Sequence, residues 1–168
     1  MDDAAACAGV DPVEFRLNHL SDDRAKAVIG RAAAMANWPG DPNDEGALGI
    51  GFAQYKNRSA YTAVVVRVSL DEDIHVTHAW AATDAGEIVN PDGLHNQVEG
   101  GIIQATSWTL KEAIHFDGDR ALTGGWGDYP ILKFSEVPLI EVELLDQPHL
   151  QPLGAGETSC APTVAAIG

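Results

Sequence analysis

In AYTAVVVRVSLDEDIHVTHAWAAT, residues 60–83, two runs rich in β-branched residues flank a short acidic turn. The first run alternates well enough to predict a half-buried strand over residues 60–70. Residues 71–73 reverse the chain, and the second run predicts a partner strand over residues 74–83. We therefore expect this β-hairpin to form the centre of a sheet.

Two further strands are predicted, one on each side of the hairpin in the chain. LGIGFAQY, residues 48–55, is a strand pattern that contains glycines, which indicates close approach of another backbone or of a ligand. LIEVELL, residues 139–145, is a short strand. Together with the hairpin, these segments predict a small, mainly antiparallel sheet.

Helical patterns precede the sheet. The first forty residues predict two short helices. One starts at Asp11, a capping residue followed by Pro12 at the first helical position, and the other starts at residues 21–23. A polar loop is predicted over residues 39–46, because proline and glycine interrupt the pattern there.

A long, mostly buried helix is predicted over residues 91–115, with Asn90 as its cap. Gly100 and Gly101 lie in its interior, where each costs about 1 kcal/mol relative to alanine, so close packing is expected there. A final helix is predicted over residues 161–167. The predicted fold class is α+β, with helices packed on the sheet and the long helix crossing it.

Length and charge restrict the function classes. The 168 residues predict one domain, residues 1–168. The net charge of −15 and the pI near 4.5 argue against nucleic-acid binding, which usually needs a basic face. The sequence has no run of about 18 apolar residues, so no membrane span is predicted. The N-terminus carries acids where a signal peptide needs bases, so we expect a cytoplasmic protein.

The cysteine and histidine positions do not predict a metal site. Cys7 and Cys160 are far apart, which excludes a zinc site or an iron–sulfur cluster built by this chain alone. His75 and His78 are three residues apart in a predicted strand, so alternation places them on opposite faces.

Familiar nucleotide-binding and hydrolase motifs are absent, and three features remain. The first is GAGETSCAP, residues 154–162, where glycines allow close backbone approach to a ligand and Glu157 precedes a helix. Glu157 is either an acid/base group held at the helix start or an exposed capping residue. The residues alone favour the second interpretation, because most glutamates are exposed.

The second feature is NQVEGG, residues 96–101, whose amides near a helix start suit a ligand rich in heteroatoms. The simpler interpretation, which the residues alone favour, is that these are ordinary polar positions and packing glycines. The third is WGDYP, residues 126–130, whose aromatic pair could line a pocket or a subunit interface. A loop packed on the sheet is the favoured alternative.

Taken in order, four segments resemble one known family: DPVEFRLNHL, VNPDGLHNQVEGGIIQATSWTLKEAI, GDYPILKFSEVPLIEVELL and GAGETSCAPTVAAIG. They resemble the C-terminal part of the molybdopterin-binding subunit of the molybdenum hydroxylases, the xanthine dehydrogenase and aldehyde oxidase family. The resemblance implies a C-terminal segment of a molybdenum-cofactor-binding domain. It implies an oxidoreductase that oxidises an aldehyde or an N-heterocycle with water as the oxygen source.

The resemblance also implies roles for individual residues. Glu157 would be the catalytic base beside molybdenum, Gln97 would contact molybdopterin, and the backbone around Gly156 would approach the cofactor. Molybdenum takes no protein ligand in this family, and the cofactor is expected in its cytosine dinucleotide form. Electrons would leave through iron–sulfur clusters on a partner.

This chain departs from the family in two ways. Family members often carry proline or alanine directly after the glutamate, where this chain has Thr158, which leaves the substrate open. The family's subunit is several times longer, so this chain would supply one wall of the active site and be inactive alone. The expected partners are the remaining molybdenum-subunit sequence and an iron–sulfur subunit, with a homodimer also open. Large apolar surfaces should be exposed or buried in such contacts.

Two other hypotheses stay open. The chain could be a non-catalytic assembly or interaction subunit that keeps the family scaffold. It could also be an unrelated small-molecule-binding domain, although four motifs in the family's order argue against this.

Overall fold

The computed structural model describes residues 1–41 and 45–168, so residues 42–44 of the predicted 39–46 loop lie outside the described residues. The helices are α1 Asp2–Ala8, α2 Pro12–His19, α3 Asp23–Met35, α4 Pro91–Leu110 and α5 Cys160–Ile167. The strands are β1 Ala47–Gln54, β2 Tyr61–Leu70, β3 Ile74–Asp84, β4 Phe116–Asp117, β5 Arg120–Ala121 and β6 Leu139–Leu144.

The main sheet has the strand order β1-β2-β3-β6, so the predicted hairpin, β2 and β3, lies at its centre. β1 pairs with β2 and β2 with β3 in antiparallel fashion, whereas β6 runs parallel to β3, with Trp80 opposite Glu141. β4 and β5 form a separate two-stranded hairpin. The predicted α+β class and the mainly antiparallel sheet are confirmed.

Both faces of the sheet are covered by helices. On one face, Val65 and Trp80 belong to a buried cluster with Ile29 of α3. On the other, Val64 packs with Ile102 of α4, and α5 also contributes to that cluster. β2 is therefore buried on both faces over its first six residues, and the expectation of a half-buried strand is wrong. Its run of consecutive apolar residues is the pattern of a strand covered on both sides.

The caps of the early helices follow the sequence signals. The Asp11 carboxylate accepts a 2.8 Å hydrogen bond from the Val13 amide at the start of α2. Asp22 accepts one of 2.9 Å from the Arg24 amide at the start of α3. Each carboxylate satisfies an amide that has no partner inside its helix. The additional helix α1 is not among the predicted elements.

The long helix α4 starts as predicted, since the Asn90 side chain accepts a 2.9 Å hydrogen bond from the Gly93 amide. It ends at Leu110 rather than near residue 115. The packing glycines behave differently from each other: a Cβ on Gly101 would lie 2.3 Å from the Ser159 hydroxyl, whereas one on Gly100 would meet nothing within 4 Å. Close packing explains Gly101 alone.

The glycines of β1 admit the backbone of α5. A Cβ on Gly49 would lie 2.0 Å from the Ala166 carbonyl oxygen, and one on Gly51 would lie 2.0 Å from that of Pro162. No side chain tolerates such distances, so α5 can press against β1 only where the strand lacks Cβ atoms. The expected close approach of another backbone is confirmed.

A β-bulge at Thr77 changes the register of β3 against β2, because Thr77 is skipped in the pairing. His75 and His78 therefore stand opposite Ser69 and Arg67, which are two residues apart on β2. The bulge adds one residue between the histidines and places both on one face, so the expectation of opposite faces is wrong. Within residues 1–41 and 45–168, no three His, Cys, Asp or Glu side chains group as metal ligands.

The segment between α4 and β6 exposes apolar side chains. More than half of the surface is exposed for each of Ile114, Phe116, Leu122, Trp126, Ile131 and Phe134. The expectation of exposed apolar surface is met here, and the loop around Trp126 does not bury that side chain against the sheet. None of the described helices has both the length and the hydropathy needed to cross a membrane.

Candidate functional site

Three segments distant in sequence meet at one end of the sheet. They are the turn between β1 and β2, the first half of α4, and the connector that leads into α5. The connector is joined to the turn by a 3.1 Å hydrogen bond from the Ala60 amide to the Gly154 carbonyl. It is joined to the end of β3 by a 2.7 Å hydrogen bond from the Leu153 amide to the Ala85 carbonyl. These bonds set the position of the GAGE motif.

The structure brings two of the predicted site residues into direct contact. The Gln97 side-chain amide donates a 2.5 Å hydrogen bond to the Gly156 carbonyl, across 59 residues of sequence. Both residues are exposed and line a cleft of about 280 Å³. Asn90 and Gly93 at the start of α4 and Ala155 of the connector also line it. The cleft thus lies between a helix start and a glycine-containing backbone.

Glu157 lies beside this cleft and is exposed. One oxygen of its carboxylate, Oε2, accepts a 2.8 Å hydrogen bond from the Tyr55 hydroxyl. The N-cap of α5 is Ser159, and no side chain caps the start of this helix. The sequence-based interpretation of Glu157 as exposed is therefore confirmed, but its interpretation as a capping residue is wrong.

Sequence reasoning misses Tyr55 as a site residue. It lies 102 residues from Glu157, and no spacing relates the two. The one available signal is the glycine-containing strand before it, but those glycines serve the packing of α5 on β1.

Thr158, the first residue that departs from the family pattern, is buried beneath the site. Its hydroxyl lies 2.8 Å from that of Thr62, which in turn lies 3.0 Å from that of Thr83. The Thr158 hydroxyl also donates a 3.3 Å hydrogen bond to the Ala60 carbonyl. The row of three buried hydroxyl groups attaches the backbone below Glu157 to the two central strands.

The next two residues attach the same backbone to α4. The Ser159 hydroxyl donates a 2.9 Å hydrogen bond to the Val98 carbonyl, and the Cys160 thiol donates one of 3.7 Å to the Gly101 carbonyl. Burial raises the pKa of the Cys160 thiol, and the nearby negative charge of Glu157 raises it further. Cys160 is thus a protonated packing residue rather than a nucleophile.

An ion pair stabilises the chain between β3 and α4, which forms one side of the cleft. Arg24 donates hydrogen bonds of 2.8 and 2.6 Å to the two oxygens of the fully buried Asp84. The Gly86 amide donates a 2.9 Å hydrogen bond to the same carboxylate. The hydrogen bond to Asp84 raises the pKa of the Arg24 guanidinium, which therefore stays charged. The backbone that continues to Asn90 therefore starts from a rigid anchor.

The described site suits a polar organic ligand held by amide and backbone groups. Gln97 uses one amide proton on Gly156, which leaves its second amide proton and its carbonyl oxygen for a ligand. A Cβ on Gly156 would meet no atom within 4 Å, so the space beside that backbone is open.

The sequence profile of the molybdopterin cofactor-binding domain family matches residues 17–138. This range includes Gln97 and ends before the GAGE motif. The chain is 38% identical over 185 residues to a subunit of nicotinate dehydrogenase from Pseudomonas putida, a match that covers 99% of this chain and 16% of that protein. It is 35% identical over 153 residues to the beta subunit of isoquinoline 1-oxidoreductase from Brevundimonas diminuta, covering 87% of this chain and 19% of that protein.

Among solved structures, the fold matches quinoline 2-oxidoreductase from Pseudomonas putida 86 with a TM-score of 0.60 and 29% sequence identity. That match covers 64% of this chain and 15% of the other. The chain therefore spans less than a fifth of the length of each of these relatives. The profile match over most of the chain, together with the nicotinate dehydrogenase match over 99% of it, confirms the resemblance seen in the four ordered motifs, and the chain belongs to the molybdopterin cofactor-binding domain family of the molybdenum hydroxylases.

Proposed function

We propose that this chain supplies part of the active site of a molybdenum-dependent hydroxylase that oxidises an N-heterocycle or an aldehyde, with water as the oxygen source. Glu157 is the catalytic base, and Gln97 and Gly156 contact the molybdopterin. The observation that carries the proposal is the exposed Glu157 carboxylate, which Tyr55 orients beside the cleft that Gln97 and Gly156 line. The names of the three relatives, which refer to nicotinate, isoquinoline and quinoline, support an N-heterocyclic substrate.

The geometry of Glu157 suits proton transfer. Tyr55 occupies one carboxylate oxygen with its 2.8 Å hydrogen bond, which leaves the second oxygen to accept a proton. The backbone under Glu157 is held by the buried hydroxyl groups of Thr158 and Ser159. Tyr55 is a positioning residue in this proposal, because it acts on the reaction through Glu157.

The described residues suit contact with one side of the cofactor. A pterin is rich in nitrogen and oxygen, which match the remaining amide groups of Gln97 and the open backbone at Gly156. When bound, molybdopterin supplies the redox chemistry and needs no His or Cys ligand from this chain. The cleft of about 280 Å³ is at the lower limit for a small-molecule site, so other sequence must enclose most of the cofactor.

We infer that this other sequence is the remainder of a molybdenum subunit, which also holds the cytosine dinucleotide end of the cofactor. An iron–sulfur subunit receives the electrons. Residues 1–168 act as one domain within this complex, and the isolated chain is inactive. The exposed apolar side chains between α4 and β6 are buried in such contacts, or between two copies of the chain.

A non-catalytic assembly role is the second candidate. It is favoured by the exposed apolar segment between α4 and β6. This segment follows the C-terminal end of α4, whereas the cleft adjoins the start of that helix. Co-expression with the remaining molybdenum-subunit sequence and an iron–sulfur subunit separates the two. The purified complex is analysed for molybdenum and assayed by dye reduction with N-heterocycles and aldehydes. Turnover that is lost in Glu157→Gln at unchanged molybdenum content supports the catalytic role. Unchanged turnover in this variant leaves the assembly role.

A further inference from the structure

We propose that Lys56 and Arg58 form a cationic rim that selects substrates carrying a carboxylate group on the heteroaromatic ring. The inference rests on the proposed function and narrows its substrate class. It starts from the turn between β1 and β2, which holds both residues next to Tyr55. Both cationic side chains are exposed at this turn.

Tyr55 connects the cationic rim to the proposed base. Its hydroxyl donates the 2.8 Å hydrogen bond to Glu157, and the Lys56 ammonium lies 5.1 Å from the centre of its ring. The positive charge therefore faces the ring of the same side chain whose hydroxyl end holds the base. This arrangement places a cation and the proposed base at two separated points along one aromatic side chain.

The backbone of the turn is held in an uncommon conformation. Lys56 and Asn57 have φ angles of 51° and 56°, in the left-handed region that side chains other than glycine rarely adopt. Two backbone hydrogen bonds close this turn. The Tyr55 amide donates one of 2.8 Å to the Ala60 carbonyl, and the Ser59 amide donates one of 2.9 Å to the Tyr55 carbonyl. Such backbone strain concentrates at functional sites. Lys56 therefore carries its cation at a backbone position that glycine adopts more easily.

The charges around the turn suit an anion. The chain has only ten Lys and Arg residues against a net charge of −15. Ion pairs with carboxylates engage Arg16, Arg24, Arg31 and Lys111. In the part of the chain that the structure describes, Lys56 and Arg58 have no carboxylate partner. Because salt screens charges beyond about 8–10 Å, the distant acidic residues of the chain act only weakly on an anion held at this turn.

The position of the rim favours the substrate over the phosphates of the cofactor. Among the described residues, those lining the cleft beside Gln97 come from the β3–α4 link, the start of α4 and the connector, and the 55–58 turn contributes none. Glu157 thus lies between a cleft assigned to the cofactor and a turn that carries two cations. A substrate ring bound beside Glu157 directs its reacting carbon to this residue. Its ring carboxylate then points to Lys56 and Arg58, away from the negative charge of Glu157.

The test compares a carboxylated substrate with a neutral one in the co-expressed complex. Pyridine-3-carboxylate and isoquinoline are assayed with the wild type, the double variant Lys56→Gln/Arg58→Gln, and Lys26→Gln as a control cation on α3. We expect the double variant to raise the KM for pyridine-3-carboxylate about tenfold, the loss of a charge-assisted contact. Its kcat/KM for isoquinoline should stay within about twofold, and Lys26→Gln should change neither value.

A molybdenum content lowered by the double variant would show that the cations hold a cofactor phosphate, and would overturn the inference. An equal loss of kcat/KM for both substrates, or no change in kcat/KM for either, would also overturn the inference. A wild-type complex that oxidises neither compound contradicts the proposed function instead.

NMR titration of the isotope-labelled chain tests carboxylate binding at the cationic rim independently of turnover. Saturable shifts of the 55–58 amides with pyridine-3-carboxylate, absent with the neutral pyridine-3-carboxamide and in the double variant, support it. Their absence in the wild type refutes it.

Discussion

The Tyr55 hydroxyl donates a 2.8 Å hydrogen bond to the Glu157 carboxylate and so joins the turn after β1 to the connector before α5. The two residues are 102 positions apart in the chain. A long, exposed glutamate side chain otherwise samples several rotamers, and ordering it costs conformational entropy. The hydrogen bond reduces that freedom and directs one carboxylate oxygen, so this contact prepares Glu157 for the proposed proton transfer.

Replacement of Glu157 by glutamine should lower kcat of the assembled complex about 10²–10⁴-fold, because the amide cannot act as a general base. The residue is exposed, so the unfolding temperature and the molybdenum content should not change. Glu87→Gln is the matched control, since Glu87 is an exposed carboxylate that lines the cleft beside which Glu157 lies. Steady-state dye reduction and metal analysis measure these quantities. Equal turnover in the two variants would refute the assignment of Glu157.

Tyr55→Phe should lower kcat about tenfold with little change in KM, because it removes the hydrogen bond that orients Glu157 and keeps the ring. A purely structural role would instead lower the unfolding temperature and leave kcat unchanged. Thermal unfolding and steady-state kinetics of the complex separate these outcomes. In the Glu157→Gln background the Tyr55 substitution should add little further loss, since the group it positions is already removed.

Gly101→Ala should destabilise the chain by about 1–3 kcal/mol, since its Cβ would lie 2.3 Å from the buried Ser159 hydroxyl. Gly100→Ala is its natural control, because a Cβ there meets nothing within 4 Å. Alanine is the better helix former, so this variant should be neutral or more stable by up to about 1 kcal/mol. Urea unfolding measures both free energies. Similar destabilisation by the two variants would contradict the packing of α5 on α4.

The two thiols should differ in reactivity. Burial and the charge of Glu157 raise the pKa of the Cys160 thiol, so at mildly alkaline pH it carries less thiolate than an ordinary cysteine. A disulfide reagent at such a pH should therefore modify Cys7, which is exposed, and reach Cys160 only after unfolding. Counting of released chromophore in wild type and Cys7→Ser, with and without denaturant, gives the result. Rapid modification of folded Cys7→Ser would show that Cys160 is accessible.

The raised pKa of the Cys160 thiol also makes the stability of the chain depend on pH. A thiol whose folded pKa lies above its unfolded pKa contributes stability at low and neutral pH. That contribution is lost as the pH rises through the unfolded and then the folded value. Cys160→Ala should therefore flatten the alkaline part of the stability curve relative to wild type, measured by urea unfolding between neutral and alkaline pH. A steeper alkaline loss in the variant would contradict the direction of the shift.

Features with local causes could be predicted from the sequence. The caps at Asp11 and Asn90 and the helix start at residues 21–23 are predictable from adjacent residues, because a side chain and the amides it satisfies lie within three positions. The central hairpin follows from two β-branched runs and a short turn. Ordered motifs were enough to identify the family, since each is a short segment with its own composition.

Features with distant causes could not be predicted. Alternation predicts one buried face for β2, but both faces are covered, one by α3 and the other by α4 and α5, and each of these helices lies more than twenty residues away along the chain. The bulge at Thr77 depends on how β3 pairs with β2, and it moves His75 and His78 to one face. Of two adjacent glycines, only Gly101 faces α5, because helix rotation decides which one meets the neighbouring helix.

Local residue patterns predict the strand hairpin, the starts of α2 to α5, the family and the candidate residues Gln97, Gly156 and Glu157. The hydrogen bond from Gln97 to Gly156 and the one from Tyr55 to Glu157 arise only in the folded chain. The two groups of features differ in the range of the interactions that produce them. Backbone preference and capping act over a few residues, whereas these contacts join segments that the sheet and α5 bring together after long stretches of chain.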